Sequence, residues 1–179
     1  MWLFFLTPIS LIALIFYYAS VGGFGDMPDL EVLENPKTNL ASEVISSDGK
    51  TLGKYYFNDN RTPVTFDELP KHLVDALIAT EDIRFYSHSG IDFKRTFGAA
   101  LKLGKDGGGS TITQQLAKLL FTGEGSRDIL ERLTQKFKEY IIAVRLERHY
   151  TKDEIITQYL NLYDFGNNGD GIRLSLIHI

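Results

Sequence analysis

From Trp2 to Phe24 the chain reads WLFFLTPISLIALIFYYASVGGF and carries no charge. A helix of that length crosses a hydrocarbon core of roughly 30 Å, which constrains the architecture more than any other feature. Trp2 at one end and Tyr17 and Tyr18 near the other suit an aromatic belt, and Pro8 is tolerable near the start of such a helix. A cleaved signal peptide is the alternative. It lacks a basic residue ahead of the run and a clear small-x-small cleavage site after it. The expectation is an uncleaved transmembrane helix over residues 1–24. Asp26, Asp29, Glu31 and Glu34 precede the first cation, Lys37, and this flank weakly favours an extracytoplasmic location for the rest of the chain.

The remainder of a 179-residue chain has room for one domain with a real core. A formal net charge of −4 argues against a general nucleic-acid binder. With no cysteine, disulfides and thiolate metal sites are excluded. Residues 25–42 read as a linker, with Pro28 and Pro36 and no periodicity. Two short β-prone runs then flank Asp48-Gly49, a signal for a two-residue hairpin turn. Helices come next. Pro70 opens one through KHLVDALIATED, and Thr111 with Gln114 forms a capping box for QQLAKLLF. A long helix covers Ser126 to His149, and Thr151 with Glu154 caps a last one that Gly166 closes. The expected fold is mainly α, with a small N-terminal β-hairpin, over residues 43–173.

The stretch GGGSTITQQLAK, Gly107 to Lys118, delivers glycines into a helix N-terminus, where free N–H groups and the dipole favour an anion. Ile112, Leu116, Leu119 and Leu120 share one face, while Gln114 and Lys118 share the other. A phosphate is one reading of that lysine; a well-capped helix with a solvated lysine is the other. A P-loop is excluded, because Gly-Ser-Thr stands where Gly-Lys-Ser/Thr is needed. In KHLVDALIATED, Leu73, Leu77 and Glu81 lie at i, i+4 and i+8, so Glu81 continues an apolar face and is a candidate general base or acid. Its neighbour Asp82 points elsewhere and could cap the next turn. On the long helix, Leu133, Phe137, Tyr140, Ile141 and Val144 form the expected buried stripe. Arg132, Lys136 and Glu139 form a separate polar one, either a solvated ladder or part of a site. His88 sits in a Gly/Ser turn and reads as structural, and no zinc spacing is present.

These stretches together resemble a known family. ATEDIRFYSHSGID, with Glu81-Asp82, Phe85, His88 and Gly90, is similar to the E-D-x-x-F-x-x-H-x-G motif of the bacterial peptidoglycan glycosyltransferases, glycosyltransferase family 51. GGSTITQQ (Gly108 to Gln115) resembles their second motif without a mismatch, QKFKEYIIAVRLE (Gln135 to Glu147) the third, and KDEIITQYLNLYDFGNNGDGI (Lys152 to Ile172) the fourth. Four motifs in register are far more specific than one.

The resemblance implies a lysozyme-like fold of two helical lobes around a cleft. It also implies an activity, polymerisation of lipid II into glycan strands with release of undecaprenyl pyrophosphate. The domain would stand outside the cytoplasmic membrane of a bacterium, held by its anchor among membrane lipid and other cell-wall synthesis proteins. Glu81 would be the general base that takes the proton of the acceptor 4-hydroxyl, and Glu139 the second essential glutamate, supporting the pyrophosphate or a divalent cation, Mg or Mn. Ser110, Gln114, Gln115 and Lys138 match residues lining the cleft. Lys118 would meet the diphosphate or its sugar, and Asp82, Thr111, Arg132 and Lys136 complete the expected substrate-binding set. Two departures stand out. Gln135 replaces the usual arginine of the third motif, with Arg132 the nearest candidate to compensate; and LSLIHI, residues 174–179, departs from the family's continuation and reads as a truncation. A lytic muramidase-type glycosidase and a catalytically dead scaffold binding lipid II are the rival functions.

Overall fold

The computed structural model describes residues 42–55, 63–101, 109–123, 125, 127–165 and 172, with 7, 10, 13–18, 21–23 and 25 ahead of them. It is mainly helical, with one small sheet. Strands β1 (Ser42–Ile45) and β2 (Thr51–Tyr55) pair antiparallel, Ser42 opposite Tyr55 and Ile45 opposite Thr51, with an irregularity between Val44 and Ile45. The turn is longer than the Asp48-Gly49 pair suggests. Ser46 N–H donates to Lys50 O (2.8 Å) and Gly49 N–H to Ser46 O (2.9 Å), so residues 47–49 form the loop. Gly49 takes the left-handed conformation (φ 79°) that closes a loop of this kind.

Among the described residues five α-helices follow the sheet: α1 (Lys71–Glu81), α2 (Phe93–Leu101), α3 (Ile112–Ala117), α4 (Ile129–His149) and α5 (Lys152–Leu162). Helix α3 packs against both α4 and α5, and its Ile112, Leu116 and Ala117 are fully buried with Ile142, Leu146, Ile155, Ile156 and Leu160. Leu73 and Leu77 of α1 pack on the same cluster. Asn161 ties the entry to the domain back onto α5: its amide accepts from Val64 N–H and donates to Val64 O, both at 2.9 Å.

Two expectations shift. QQLAKLLF does not continue as one α-helix. After Ala117 the chain widens into a π-helical turn, Lys118–Thr122, in which Gly123 N–H reaches Lys118 O at 2.9 Å. The extra residue per turn rotates Leu119 off the apolar face, leaving it 41% exposed. On α4 the buried face is Glu139, Ile142, Ala143 and Leu146, not the stripe through Leu133, which is half exposed. The apolar stripe has a different partner: Phe16, in the helical residues 13–18, meets Phe137 edge-on at 5.5 Å between ring centroids and stacks on Tyr140 at 6.4 Å. Helix α5 stops at Leu162 instead of running on toward Gly166, which lies outside the described residues. Among the described residues no helix is long and apolar enough to cross a membrane. Most of residues 1–24, the linker apart from Gly25 and Ser42, and the tail 174–179 lie outside them.

Both capping boxes form as the spacing predicts. At α5, Glu154 accepts from the Thr151 backbone N–H (2.7 Å) and hydroxyl (2.8 Å), and these bonds hold its carboxyl below the usual carboxylate range. A lowered folded-state pKa stabilises above the unfolded value and is lost as pH falls through the folded one. Thr151→Ala is therefore expected to cost about 1 kcal/mol at neutral pH in urea unfolding, with the gap to wild type narrowing in acid.

Candidate active site

The site is assembled around the short segment from Ser110 to Gln115. Helix α1 ends by delivering Glu81, half-buried, and its C-cap Asp82, 1% exposed. Their roles in the geometry differ. Gln115 Nε2 donates to Glu81 Oε2 at 2.8 Å, and the Tyr159 hydroxyl donates to Gln115 Oε1 at 3.0 Å, so α1, α3 and α5 meet in one line of hydrogen bonds. Burial, then the neighbouring Tyr163 and Glu81, push the Tyr159 phenol far up, which keeps it a donor. The Arg95 guanidinium donates to the backbone carbonyl of Glu81. Arg95 is itself placed by Asp92, which accepts its N–H at 3.0 Å and the Arg84 guanidinium at 2.7 and 2.8 Å. Burial alone would raise the Asp92 carboxyl, but the Arg95 N–H and Arg84 hold it below the usual range.

Asp82 turns inward. One oxygen accepts the Ile112 N–H at the start of α3 (3.1 Å), and His88 Nε2 lies 3.0 and 3.1 Å from its two oxygens. The carboxylate thus sits on the free N–H groups of α3, where the helix dipole favours it. The turn carrying His88 is fastened from the other side as well. Lys152 Nζ donates to His88 O (2.7 Å) and Glu147 Oε1 (2.8 Å) and lies 4.2 Å from the centroid of the Phe85 ring, while Thr113 Oγ1 donates to the same Glu147 oxygen (2.6 Å).

The second cluster lies at the other end of the segment. Glu139 is 4% exposed; Lys136 Nζ donates to its Oε2 at 2.5 Å and to Ser110 Oγ at 2.9 Å. Thr122 Oγ1 approaches Glu139 Oε1 at 3.4 Å. A carboxylate this buried is tolerated because the lysine neutralises it.

Of the residues expected at the site, Glu81 with Gln115 and Ser110 with Lys136 and Glu139 come together as two groups. Thr111 and Gln114 are buried, and both donate to the Gly90 carbonyl, at 2.7 and 3.2 Å. Gln114 therefore does not share an exposed face with Lys118. Lys118 and Arg132 are exposed, and Lys138 Nζ lies beside Gly25, 3.3 Å from where a Cβ would stand. Tyr159, Arg95 and the Glu147–Lys152 pair were not singled out from the sequence. They act across 14 to 64 residues of chain, where spacing carries no signal. Among the described residues no group of three or more His, Asp or Glu could hold a metal ion, and the Glu139 oxygens are taken by Lys136 and Thr122. The described residues do not by themselves make a cation cage.

A family model described as transglycosylase matches residues 48–176. The chain is 42% identical over 139 residues to penicillin-binding protein 1F of Bacillus subtilis, covering 75% of this chain and 19% of that protein. It is 38% identical over 152 residues to penicillin-binding protein 1A of Pseudomonas aeruginosa (82% and 18% covered), and 39% identical over 151 residues to that of Escherichia coli (82% and 17%). The chain spans less than a fifth of the length of these relatives.

Proposed function

Since the chain belongs to the transglycosylase family, we propose that it is a peptidoglycan glycosyltransferase that builds glycan strands from lipid II in cell-wall synthesis. The observation that carries this reading is that two carboxylates in unlike surroundings stand at the two ends of the segment Ser110–Gln115, Glu81 bonded to Gln115 and Glu139 linked to Ser110 through Lys136. Glu81 is half-buried and among the described residues meets a neutral amide at its Oε2; Glu139 is buried and ion-paired. Environments that differ in this way separate the roles of two acids. Glu81 is the base: it removes the proton of the acceptor 4-hydroxyl as that oxygen attacks the anomeric carbon of the lipid-linked donor strand. The bond to the diphosphate breaks in the same displacement, so the anomeric configuration inverts and undecaprenyl pyrophosphate leaves with its electron pair. Lys136, ion-paired with Glu139 and bonded to Ser110 Oγ, holds a fixed ammonium donor near the start of α3, where it can hydrogen-bond a leaving diphosphate. Exposed Lys118 and Arg132 are the mobile cations for the same task. A divalent cation enters this reading as a companion of the diphosphate, since Mg2+ is ordinarily held through substrate phosphates with one or two carboxylates.

In the same reading the helices form the two lobes of a lysozyme-like cleft. The run Trp2–Phe24 is a single-pass anchor that keeps the domain on the extracytoplasmic side of the membrane, beside its prenyl-linked substrates. The chain should be offered two substrates in parallel: lipid II in detergent, and preformed lipid-free glycan. Lengthening strands from lipid II and intact preformed glycan are expected. Shortening of the glycan, with lipid II untouched, would replace the reading with a lytic one.

A further inference from the structure

We propose that Tyr159 is a positioning residue for Glu81: through the Gln115 amide it ties down Oε2 and leaves Oε1 as the oxygen that takes the acceptor's proton. This rests on Glu81 being the base. The orientation of the amide is set by the partners at its two ends. A carboxylate can only accept, so the end of Gln115 that faces Glu81 must be the NH2 group. The far end is then the carbonyl, and the group that meets it at 3.0 Å must donate. Tyr159 can do so at any working pH, being 3% exposed with its phenol pushed up by burial and by Tyr163 and Glu81. Its ring packs against Tyr163 at 5.2 Å between centroids, which fixes the hydroxyl in place.

Without that hydroxyl the amide is held at one end, by its bond to Glu81, and loses the bond that opposes its turning. A half-turn would set the Gln115 carbonyl against the Glu81 carboxylate, two acceptors facing each other, and the carboxylate would swing away from its working position. Tyr159 is too buried to touch a substrate, so the effect belongs to kcat and not to KM. Tyr159→Phe removes one oxygen and keeps the ring. The expected result is a fall in kcat of about tenfold, roughly the effect of one lost orienting hydrogen bond, with KM and the thermal midpoint near wild type. In a Gln115→Leu background the same substitution should cost less than about twofold, because the relay is already broken.

A second readout needs no turnover. In protein labelled with 15N-glutamine, the Gln115 Nε2 protons, assigned by their loss in Gln115→Leu, should give separate, slowly exchanging signals that average or exchange faster in Tyr159→Phe. Wild-type kcat in Tyr159→Phe, an equal cost in both backgrounds, or unchanged amide signals would each overturn the proposal. Should wild type make no polymer, the function assigned above fails, and the amide signals still decide whether Tyr159 orients Gln115. Should Tyr159→Phe not fold, the wild-type spectrum decides: slow, separate signals support the relay, and fast averaged ones overturn it.

Discussion

Gly90→Ala is expected to destabilise the domain by about 3 kcal/mol, in denaturant unfolding, although it adds a single methyl group. Two effects combine. Gly90 has φ +87°, a conformation that L side chains rarely adopt. A Cβ there would also stand 2.8 Å from the Ala143 carbonyl oxygen, 2.9 Å from its carbon and 3.1 Å from Val144 N, all backbone of α4. A helix backbone in the core cannot give way as a flexible side chain would, so the turn must lift. Lifting it strains the bonds that the Gly90 carbonyl accepts from Thr111 and Gln114, and these fix the start of α3. The loss should therefore reach activity as well as stability. A change within about 1 kcal/mol of wild type would show that the turn is looser than this packing implies.

Glu81→Gln should lower the rate of polymerisation by roughly a hundredfold to ten-thousandfold, the range that a positioned general base contributes. The substitution keeps the shape of the side chain, and a glutamine carbonyl at this position can still accept from Gln115 Nε2, the 2.8 Å bond made by the native carboxylate. The fold and the affinity for lipid II should stay close to wild type, which places the loss in kcat. A comparable rise in KM, or a collapse in stability, would mean that Glu81 serves the structure more than the chemistry.

What could be read from the residues was mostly local. The boxes Thr111–Gln114 and Thr151–Glu154 are written in i, i+3 pairs, and both form. The Leu73–Leu77–Glu81 stripe does bring a half-buried glutamate to the end of α1. Periodicity shows that an apolar face exists, and not what covers it. The Leu133–Phe137–Tyr140 stripe of α4 is real, yet Phe137 and Tyr140 meet Phe16 while Glu139, Ile142, Ala143 and Leu146 face the core. Gln114 illustrates the same limit. Its place beside Lys118 on a helical wheel suggested a polar face, but the Gly90 carbonyl, 24 residues earlier, draws it inside. The family resemblance brought Glu81, Gln115 and Glu139 into one picture, because motif order encodes long-range contacts that spacing alone does not. It left Tyr159 unnoticed, a tyrosine whose role depends on one atom of a residue 44 positions away.

The most direct test of the account is electrophoresis of the products formed from lipid II by wild type and Glu81→Gln side by side. Ladders of lengthening glycan from wild type, with almost none from the variant in the same time, are the predicted result. Ladders of equal intensity from both would contradict it, because Glu81 would then not be the base.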